Sequence, residues 1–424
     1  MSSLFPMDYG SPWSPQRRLT IANSDNQKDM VSSTCYARVG LIGNPSDGFN
    51  GKTLSFLLKN FKATVSIKAL HGSSRVVIQP HPIFDSSSFG TFDTLVDNTK
   101  RNGYYGGVRL IQAACKCFYE LILDSKIIDG KELMNRKRGF EISYDTNIPR
   151  MVGLSGSSSI ILATLRALLS FHGITLNDLG ITQQDFPSIV LDVEKKELGI
   201  AAGLQDRVIQ VYGGLVHMDF SRTPNVYTKL PVSSLPCLYI AYDTDPGGDS
   251  GKVHATVKER WIAQEAQLVG GMKILGSYAD KAMTCLEYKK YAELGDLMQS
   301  NFEMRRELYG DAVVGSKNIR AITVANEHGL AAKFTGSGGA LVCLPFQNDQ
   351  DVISGGKDDN NENSSSGSHG ESYSEVNPNI DSNYNSNEGG WLPEEQEELV
   401  RVAFAKINFN FVRVISGEND HDDA

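Results

Sequence analysis

From Ser155 to Ser170 the chain reads Ser-Gly-Ser-Ser-Ser-Ile-Ile-Leu-Ala-Thr-Leu-Arg-Ala-Leu-Leu-Ser, a helical run that is apolar on almost every side. A helix with no polar face to offer water is stable only where other elements surround it, which places this one at the centre of a domain. Thr164 and Arg166 break the run, and no apolar stretch in the chain is long enough for a membrane span. Just upstream, Glu141–Ile148 has the character of a short strand, which Pro149 ends. The segment Pro149-Arg-Met-Val-Gly153-Leu154-Ser155-Gly156-Ser157-Ser158-Ser159 therefore joins a strand to a buried helix.

Further elements follow from periodicity. Cys35–Gly43, Phe61–Leu70 and Arg75–Ile78 pattern as strands, Gly107–Leu123 and Ile181–Leu198 as helices, and Val208–His217 and Leu238–Tyr242 as strands. Ser250–Leu308 is almost continuously helix-forming, with breaks expected near Gly270–Gly271, Gly276 and Gly295. Ile319–Gly329 patterns as a helix, Ala332–Thr335 and Ala340–Pro345 as strands, and Val400–Ser416 resumes an alternating apolar order. A length of 424 residues suggests two or three domains at roughly 150 residues each. The pattern divides best near Asp219–Val232. It gives a flexible arm (1–33), an N-terminal domain (34–220), a C-terminal domain (221–346 and 391–417) and an acidic tail (418–424).

The remaining segment, 347–390, is rich in Asn, Ser, Gly and Asp and too poor in apolar residues to order itself; it is expected to be a disordered insertion. It holds nine acidic residues against Lys357 alone, so it carries −8 of the chain's net −9. The nearly neutral remainder excludes the basic surplus of a nucleic-acid binder. Most of the six cysteines sit in apolar runs, and none forms a pair at zinc spacing with a second pair or a His cluster, so a reduced, metal-free chain is expected. Residues 1–33 lack the apolar core of a secretory signal, and Asp8, Asp25 and Asp29 do not suit a transit peptide; the cytoplasm is the expected compartment.

Three segments carry chemistry. In the first, Gly153 and Gly156 permit close backbone approach, and small hydroxyl residues at a helix start leave N–H groups and the positive dipole end for an anion. The same residues would equally make a plain helix cap. The second, Lys333-Phe-Thr335-Gly336-Ser337-Gly338-Gly339-Ala340, could fold over a phosphate or simply turn the chain between two elements. In the third, Glu194-Lys-Lys-Glu197-Leu-Gly199-Ile-Ala-Ala-Gly203-Leu-Gln-Asp206, the carboxylates could hold magnesium or orient a hydroxyl. Glu194 and Glu197 could also line a solvated helix face, and Asp206 could pair with Arg207. Pro246–Val253 is not a Walker phosphate loop, because Pro246 and Val253 stand where a glycine and a magnesium-binding hydroxyl are required, and no Rossmann fingerprint follows the first strand.

Taken in order, the three segments resemble the GHMP kinases, a family of small-molecule kinases. Pro149–Ser158 is similar to that family's P-x-x-x-G-L-x-S-S-A motif, Lys333–Gly339 to its K-x-T-G-x-G-G motif, and the Glu194-to-Asp206 spacing to its galactokinase branch. Arg38-Val-Gly-Leu-Ile-Gly43-Asn44-Pro45-Ser46-Asp47 resembles the galactokinase sugar loop, but with Asn44-Pro45 in place of Glu-His. Loss of that carboxylate would suit an anionic sugar. With Lys100–Gly107 and Ser250–His254, the pattern is similar to plant glucuronokinases.

The resemblance implies an α+β, two-domain fold with the nucleotide held at the interface. It also implies transfer of phosphate from ATP, with Mg2+, to the anomeric hydroxyl of D-glucuronate. Gly153, Leu154, Ser155, Gly156, Ser157, Ser158 and Ser159 would cradle the ATP phosphates, and Gly336, Ser337, Gly338 and Gly339 would close over them. Ser157 and Glu194 would hold the metal, Asp206 would orient or deprotonate the hydroxyl, and Arg38 would steady Asp206. Asp47 and Asn44 would meet the sugar hydroxyls, and Arg101, with Arg109 and Lys252 as rivals, its carboxylate. The implied partners are a sugar acid and ATP, with no nucleic acid and no membrane. The rival readings are another sugar 1-kinase (for galactose, arabinose or galacturonate) and a sugar sensor without catalysis; a sensor predicts a damaged site, yet Ser157, Glu194 and Asp206 are all in place.

Overall fold

In the computed structural model, which describes residues 29–85, 91–93, 96, 106–135, 138–245, 251–345 and 390–420, two long strands organise the first half of the chain. β1 (Met30–Ile42) and β2 (Lys52–Ala69) pair antiparallel from Met30↔Lys68 to Ile42↔Leu54, with register shifts after Tyr36 and Gly40. Both strands extend beyond their expected bounds. Ser32 meets Ser66 and Thr34 meets Thr64 across the pair, hydroxyl to hydroxyl at 2.8 and 3.0 Å, so the start of β1 lacks an apolar signature. β1 therefore takes in residues 30–33 of the expected arm; residues 1–28 lie outside the described residues.

β3 (Val76–Ile78), α1 (Gly107–Leu123), α2 (Gly130–Asn135) and β4 (Phe140–Thr146) follow, then α3 (Gly156–His172), the all-round apolar helix. α3 packs against β1, β2 and α1, with Ile161, Leu162, Ala163 and Ala167 wholly buried. α4 (Phe186–Asp192) runs into a π-turn at Val193–Glu197, and α5 (Gln205–Tyr212) leads to β5 (Leu215–Asp219) and β6 (Val226–Leu230). The sheet order is β3-β4-β2-β5-β6, with β1 also paired to β2. The expected strand Val208–His217 is thus the end of a helix followed by the start of a strand. α5 is buried around most of its circumference, so packing overrides the β preference of its valines and isoleucine. Gly213 and Gly214, at φ 70° and 67°, turn the chain into β5.

The second half comprises β7 (Tyr239–Asp243), α6 (Gly251–Ile262), α7 (Ala266–Glu287), α8 (Tyr291–Tyr309), α9 (Ser316–Glu327), β8 (Leu330–Phe334), β9 (Ala340–Pro345), α10 (Glu394–Ala405) and β10 (Phe409–Arg413), with a single helical turn at Asp311–Val314. Its sheet is antiparallel throughout, in the order β10-β7-β9-β8. The helix breaks expected at Gly270–Gly271, Gly276 and Gly295 do not occur, because α7 and α8 run through all four glycines. Gly271 lies against Leu308, and a Cβ on Gly276 would come within 3.1 Å of the Lys52 nitrogen, so these two glycines allow close packing. Val400–Ser416 spans the end of α10 and all of β10, so it does not alternate throughout. The expected insertion lies outside the described residues except for Gly390.

The architecture is α+β, as the resemblance implied: a large core on the first sheet reaches Ile240 and Val342 of the second, another core holds Tyr239, Ala241 and Leu341 of the second sheet, and a small cluster around Val208, Val216 and Met218 lies between α5 and β5. The halves meet at several points: Gly40 N–H donates to Thr335 O at 2.9 Å, and Asp280 of α7 accepts from Lys52 at 2.8 Å and lies 3.0 Å from His217 Nε2. Among the described residues no helix is long and apolar enough to cross a membrane. All six cysteines are thiols outside any disulfide.

Candidate active site

The turn between β4 and α3 is held in conformations that most side chains avoid. Met151, Gly153 and Ser155 have φ of 58°, 73° and 66°, and α3 then starts at Gly156. The first-turn N–H groups of Gly156, Ser157 and Ser158 have no acceptor within the helix, so with the dipole they form an anion cradle. The other glycine loop, between β8 and β9, closes against this turn: a Cβ on Gly153 would meet Ser337 N at 2.9 Å and Gly338 O at 3.0 Å. Gly336 in turn lies against Gly153 O and the Arg38 guanidinium. The Ser158 and Ser159 hydroxyls donate back to Ser155 O at 3.1 and 2.9 Å and both residues are buried; Ser158 can offer an anion its backbone N–H only, whereas the Ser159 N–H also donates to Ser155 O, at 3.2 Å. Leu154 is a core residue, 1% exposed.

Two carboxylates flank the head of α3. Asp206, at the start of α5, accepts from Arg38 Nε at 2.7 Å and from Ser155 Oγ at 2.6 Å, with Arg207 Nη1 at 3.3 Å. Arg38 also donates to Gly153 O at 2.6 Å, which ties β1 to the turn. Burial alone would raise the Asp206 pKa, but the charges of Arg38 and Arg207 and the Ser155 hydrogen bond outweigh it and hold the carboxyl at about 2. Glu194, in the π-turn, is fully buried; Ser157 Oγ donates to its Oε1 at 2.7 Å, and Arg207 clamps its Oε2 through Nε and Nη2. Glu197 faces away and pairs with Lys116 of α1 at 2.6 Å.

Asp47 sits on the single turn Ser46–Phe49 after β1, and its Oδ2 fills the space where a Gly203 side chain would stand. Burial first, then the nearby charge of Asp206, pushes its carboxyl up to about 7, with Arg38 opposing. Asn44 is 4% exposed and its side chain is occupied within the protein: Oδ1 accepts from Lys333 Nζ at 2.7 Å, and Nδ2 lies 3.4 Å from Phe334 O. That placement turns Asn44 inward, where the resemblance implies a contact with the sugar hydroxyls. Lys333, itself buried, also donates to Gly40 O and Phe334 O at 2.8 and 2.6 Å. Burial, with the charges of Arg305 and Arg38, pulls its ammonium well below the ordinary lysine value. Arg101 lies outside the described residues.

Three supporting residues were not singled out from sequence. Arg207 follows Asp206 directly and was weighed only as its partner. Asn301 and Arg305, one turn apart on α8, resemble any solvated helical pair in sequence, yet both are buried. Asn301 accepts from Gly43 N at 2.7 Å and donates to Asn44 O at 3.1 Å, whereas Arg305 donates to Gly336 O at 2.6 Å and Ser337 O at 3.1 Å. A helix of the second half thus fastens both the sugar loop and the second glycine loop.

Residues 110–214 match the GHMP kinases N terminal domain family. Over 329 residues the chain is 43% identical to Glucuronokinase 1 of Arabidopsis thaliana, covering 76% of this chain and 87% of that protein. Over 335 residues it is 42% identical to Probable glucuronokinase 2 of the same plant, covering 77% of this chain and 87% of that protein. In fold it is similar to Lactococcus lactis galactokinase complexed with galactose, with a TM-score of 0.60 at 13% identity over 95% of this chain and 97% of that one.

Proposed function

Because the chain belongs to the glucuronokinases of the GHMP kinase family, we propose that it transfers the outer phosphoryl group of ATP to the anomeric hydroxyl of D-glucuronate. The products would be glucuronate 1-phosphate, which feeds UDP-glucuronate synthesis, and ADP. That the protein is a sugar kinase follows from the family; the acid sugar is supported by the curated relatives' names.

The observation that carries this reading is the Arg38–Asp206–Ser155 group at the head of α3, with both bonds to the carboxylate at 2.7 Å or less. It sets a fixed carboxylate beside an anion cradle, which is what in-line phosphoryl transfer needs from a protein. The anomeric oxygen forms a bond to the outer phosphorus as the bond between that phosphorus and the ADP oxygen breaks. At about 2, Asp206 is a weak base, so its role is to orient the hydroxyl and accept the proton only as the new bond forms. Arg38 holds Asp206 in place and the Gly153–Ser159 backbone holds the phosphates. Asp47 accepts hydrogen bonds from the sugar hydroxyls.

Ser157 Oγ and Glu194 Oε1, 2.7 Å apart, form an all-oxygen pair that suits Mg2+, an ion that takes one or two protein ligands and fills its shell with water and phosphate oxygens. Bound there, Mg2+ would offset the charge of the outer phosphates. Arg207 holds Oε2 of Glu194 and so keeps Oε1 aimed at Ser157.

The test is ADP release with ATP and Mg2+ against glucuronate, galacturonate, galactose, arabinose and glucose. Turnover strongest with glucuronate, and reduced about 10²–10⁴-fold in Asp206→Asn, is expected. Preference for a neutral sugar would overturn the acid-sugar reading and leave the kinase standing.

A further inference from the structure

α8 presents a buried polar row, Asn301, Arg305 and Tyr309, each one turn beyond the last. Asn301 fastens the sugar loop and Arg305 fastens Gly336 and Ser337, but two donors in this row have nothing to bond to. Among the described residues Arg305 Nε and Tyr309 Oη are both buried and both without a partner, in residues that are 3% and 7% exposed. Leaving a buried donor unmade costs about 1–3 kcal/mol, and more when it is charged, so two in adjacent turns of one helix call for an explanation. The guanidinium lies 5.3 Å from the centre of the Tyr309 ring and 4.8 Å from that of Phe334, which fixes its plane. Asn301, one turn before Arg305 in the same row, bonds Gly43 N and Asn44 O, so the row runs from the loop after β1 past the second glycine loop. Burial holds the Tyr309 hydroxyl up at about 12, so at neutral pH it retains its proton and donates.

Both vacant positions are donors and one is cationic, so the missing group is an anionic acceptor. We propose that Arg305 Nε and Tyr309 Oη recognise the carboxylate of the sugar acid and thereby set the specificity of this kinase. This inference rests on the glucuronate reading above. Arg305 then has two duties: its Nη atoms hold the second glycine loop, and its Nε, closed off in this structure, reaches the substrate when that loop shifts. Carboxylate binding would be coupled to the position of that loop.

The experiment pairs a change in the protein with a change in the substrate. KM and kcat are measured for glucuronate and for its neutral amide, glucuronamide (as substrate or as competing inhibitor), in the wild type, Tyr309→Phe, Arg305→Lys and Arg101→Ala. Tyr309→Phe is expected to raise the KM for glucuronate about 10-fold or more, with a smaller change for the amide, because a hydrogen bond to a charged group is lost. Its melting temperature is expected to hold or rise, since the deleted hydroxyl has no partner among the described residues. Arg305→Lys keeps the charge but loses the planar fork, and is expected to raise the KM for glucuronate and for ATP together. The proposal is overturned if wild type turns over glucuronate and Tyr309→Phe leaves its KM within twofold, if both sugars are affected alike, or if only Arg101→Ala removes the preference for the acid. Wild-type enzyme that ignores glucuronate but phosphorylates a neutral sugar overturns the glucuronate reading, and this proposal with it.

Discussion

Asp206 and Asp47 act on each other electrostatically, yet they end at opposite extremes. Asp206 is bonded to Arg38 and Ser155 with Arg207 beside it and stays ionised, whereas at Asp47 burial and the charge of Asp206 outweigh the opposing charge of Arg38. With a folded value of about 7 against 3.8 when free, Asp47 binds its proton more tightly in the native state. Its contribution to stability is therefore complete below about pH 3.8 and lost as the pH rises through about 7. Without sugar, the melting temperature is expected to fall between pH 5 and 8, and Asp47→Asn to flatten that fall; an unchanged slope in the variant would assign the dependence to another group. The Asp206 contribution has the opposite sign. It is present above about pH 3.8 and lost only as the pH falls through about 2, so Asp206 titration adds nothing to the pH response near neutrality.

At the scale of elements, the glycines of α7 show why composition misled. Gly270 has nothing near its missing side chain, whereas a Cβ on Gly271 would come within 2.7–2.8 Å of the Leu308 methyls of α8. Gly270→Ala is expected to stabilise by about 0.5–1 kcal/mol through helix propensity alone. Gly271→Ala gains the same propensity but must displace Leu308, and overpacking of this kind costs about 1–3 kcal/mol, so a net loss is expected. Opposite shifts in thermal melting for two adjacent glycines would confirm that one is tolerated and the other required. A net gain for Gly271→Ala would show that Leu308 moves freely. Helix α8 follows the same logic, since its polar residues gain meaning only from the loops they touch.

Across the whole molecule, the chain's last described residues fasten the two halves together. β10 pairs with β7, Phe411 stacks on Tyr239 at 4.6 Å, and the chain then crosses to the first sheet, where Lys59 N–H donates to Ile415 O at 2.7 Å. The acidic tail docks there as well: Asp420 accepts from Tyr36 Oη at 2.5 Å and from Lys59 Nζ at 2.6 Å, and Asn419 lies against Gly213. Truncation after Gly417 is expected to lower the melting temperature by a few degrees, more at low salt than at high salt, because ionic contacts at the surface are screened. Replacing 347–389 with a short Gly-Ser linker is expected to leave turnover within about twofold, as both flanks are already anchored in the second sheet through β9 and α10. A collapse of activity would assign that segment a part in the site.

How much of this was legible depended on whether the signal was local. The central burial of α3 and the presence of three segments able to carry chemistry follow from short-range pattern, because a buried helix, a glycine turn and a spaced carboxylate pair each leave a mark within a few residues; the α+β class and the shared role of those segments were implied by the family resemblance. Tertiary structure alone decided what lies between those segments. Val208–Tyr212 became helix through burial on all sides, Gly271 and Gly276 became contact points through the elements placed against them, and Asn44 turned inward to satisfy Lys333. The pairing of Arg38 with Asp206, 168 positions away, and of Arg305 with Gly336 across the second half has no trace in sequence spacing. A charged side chain is written the same way whether it meets water or a partner, and only the fold determines which it meets.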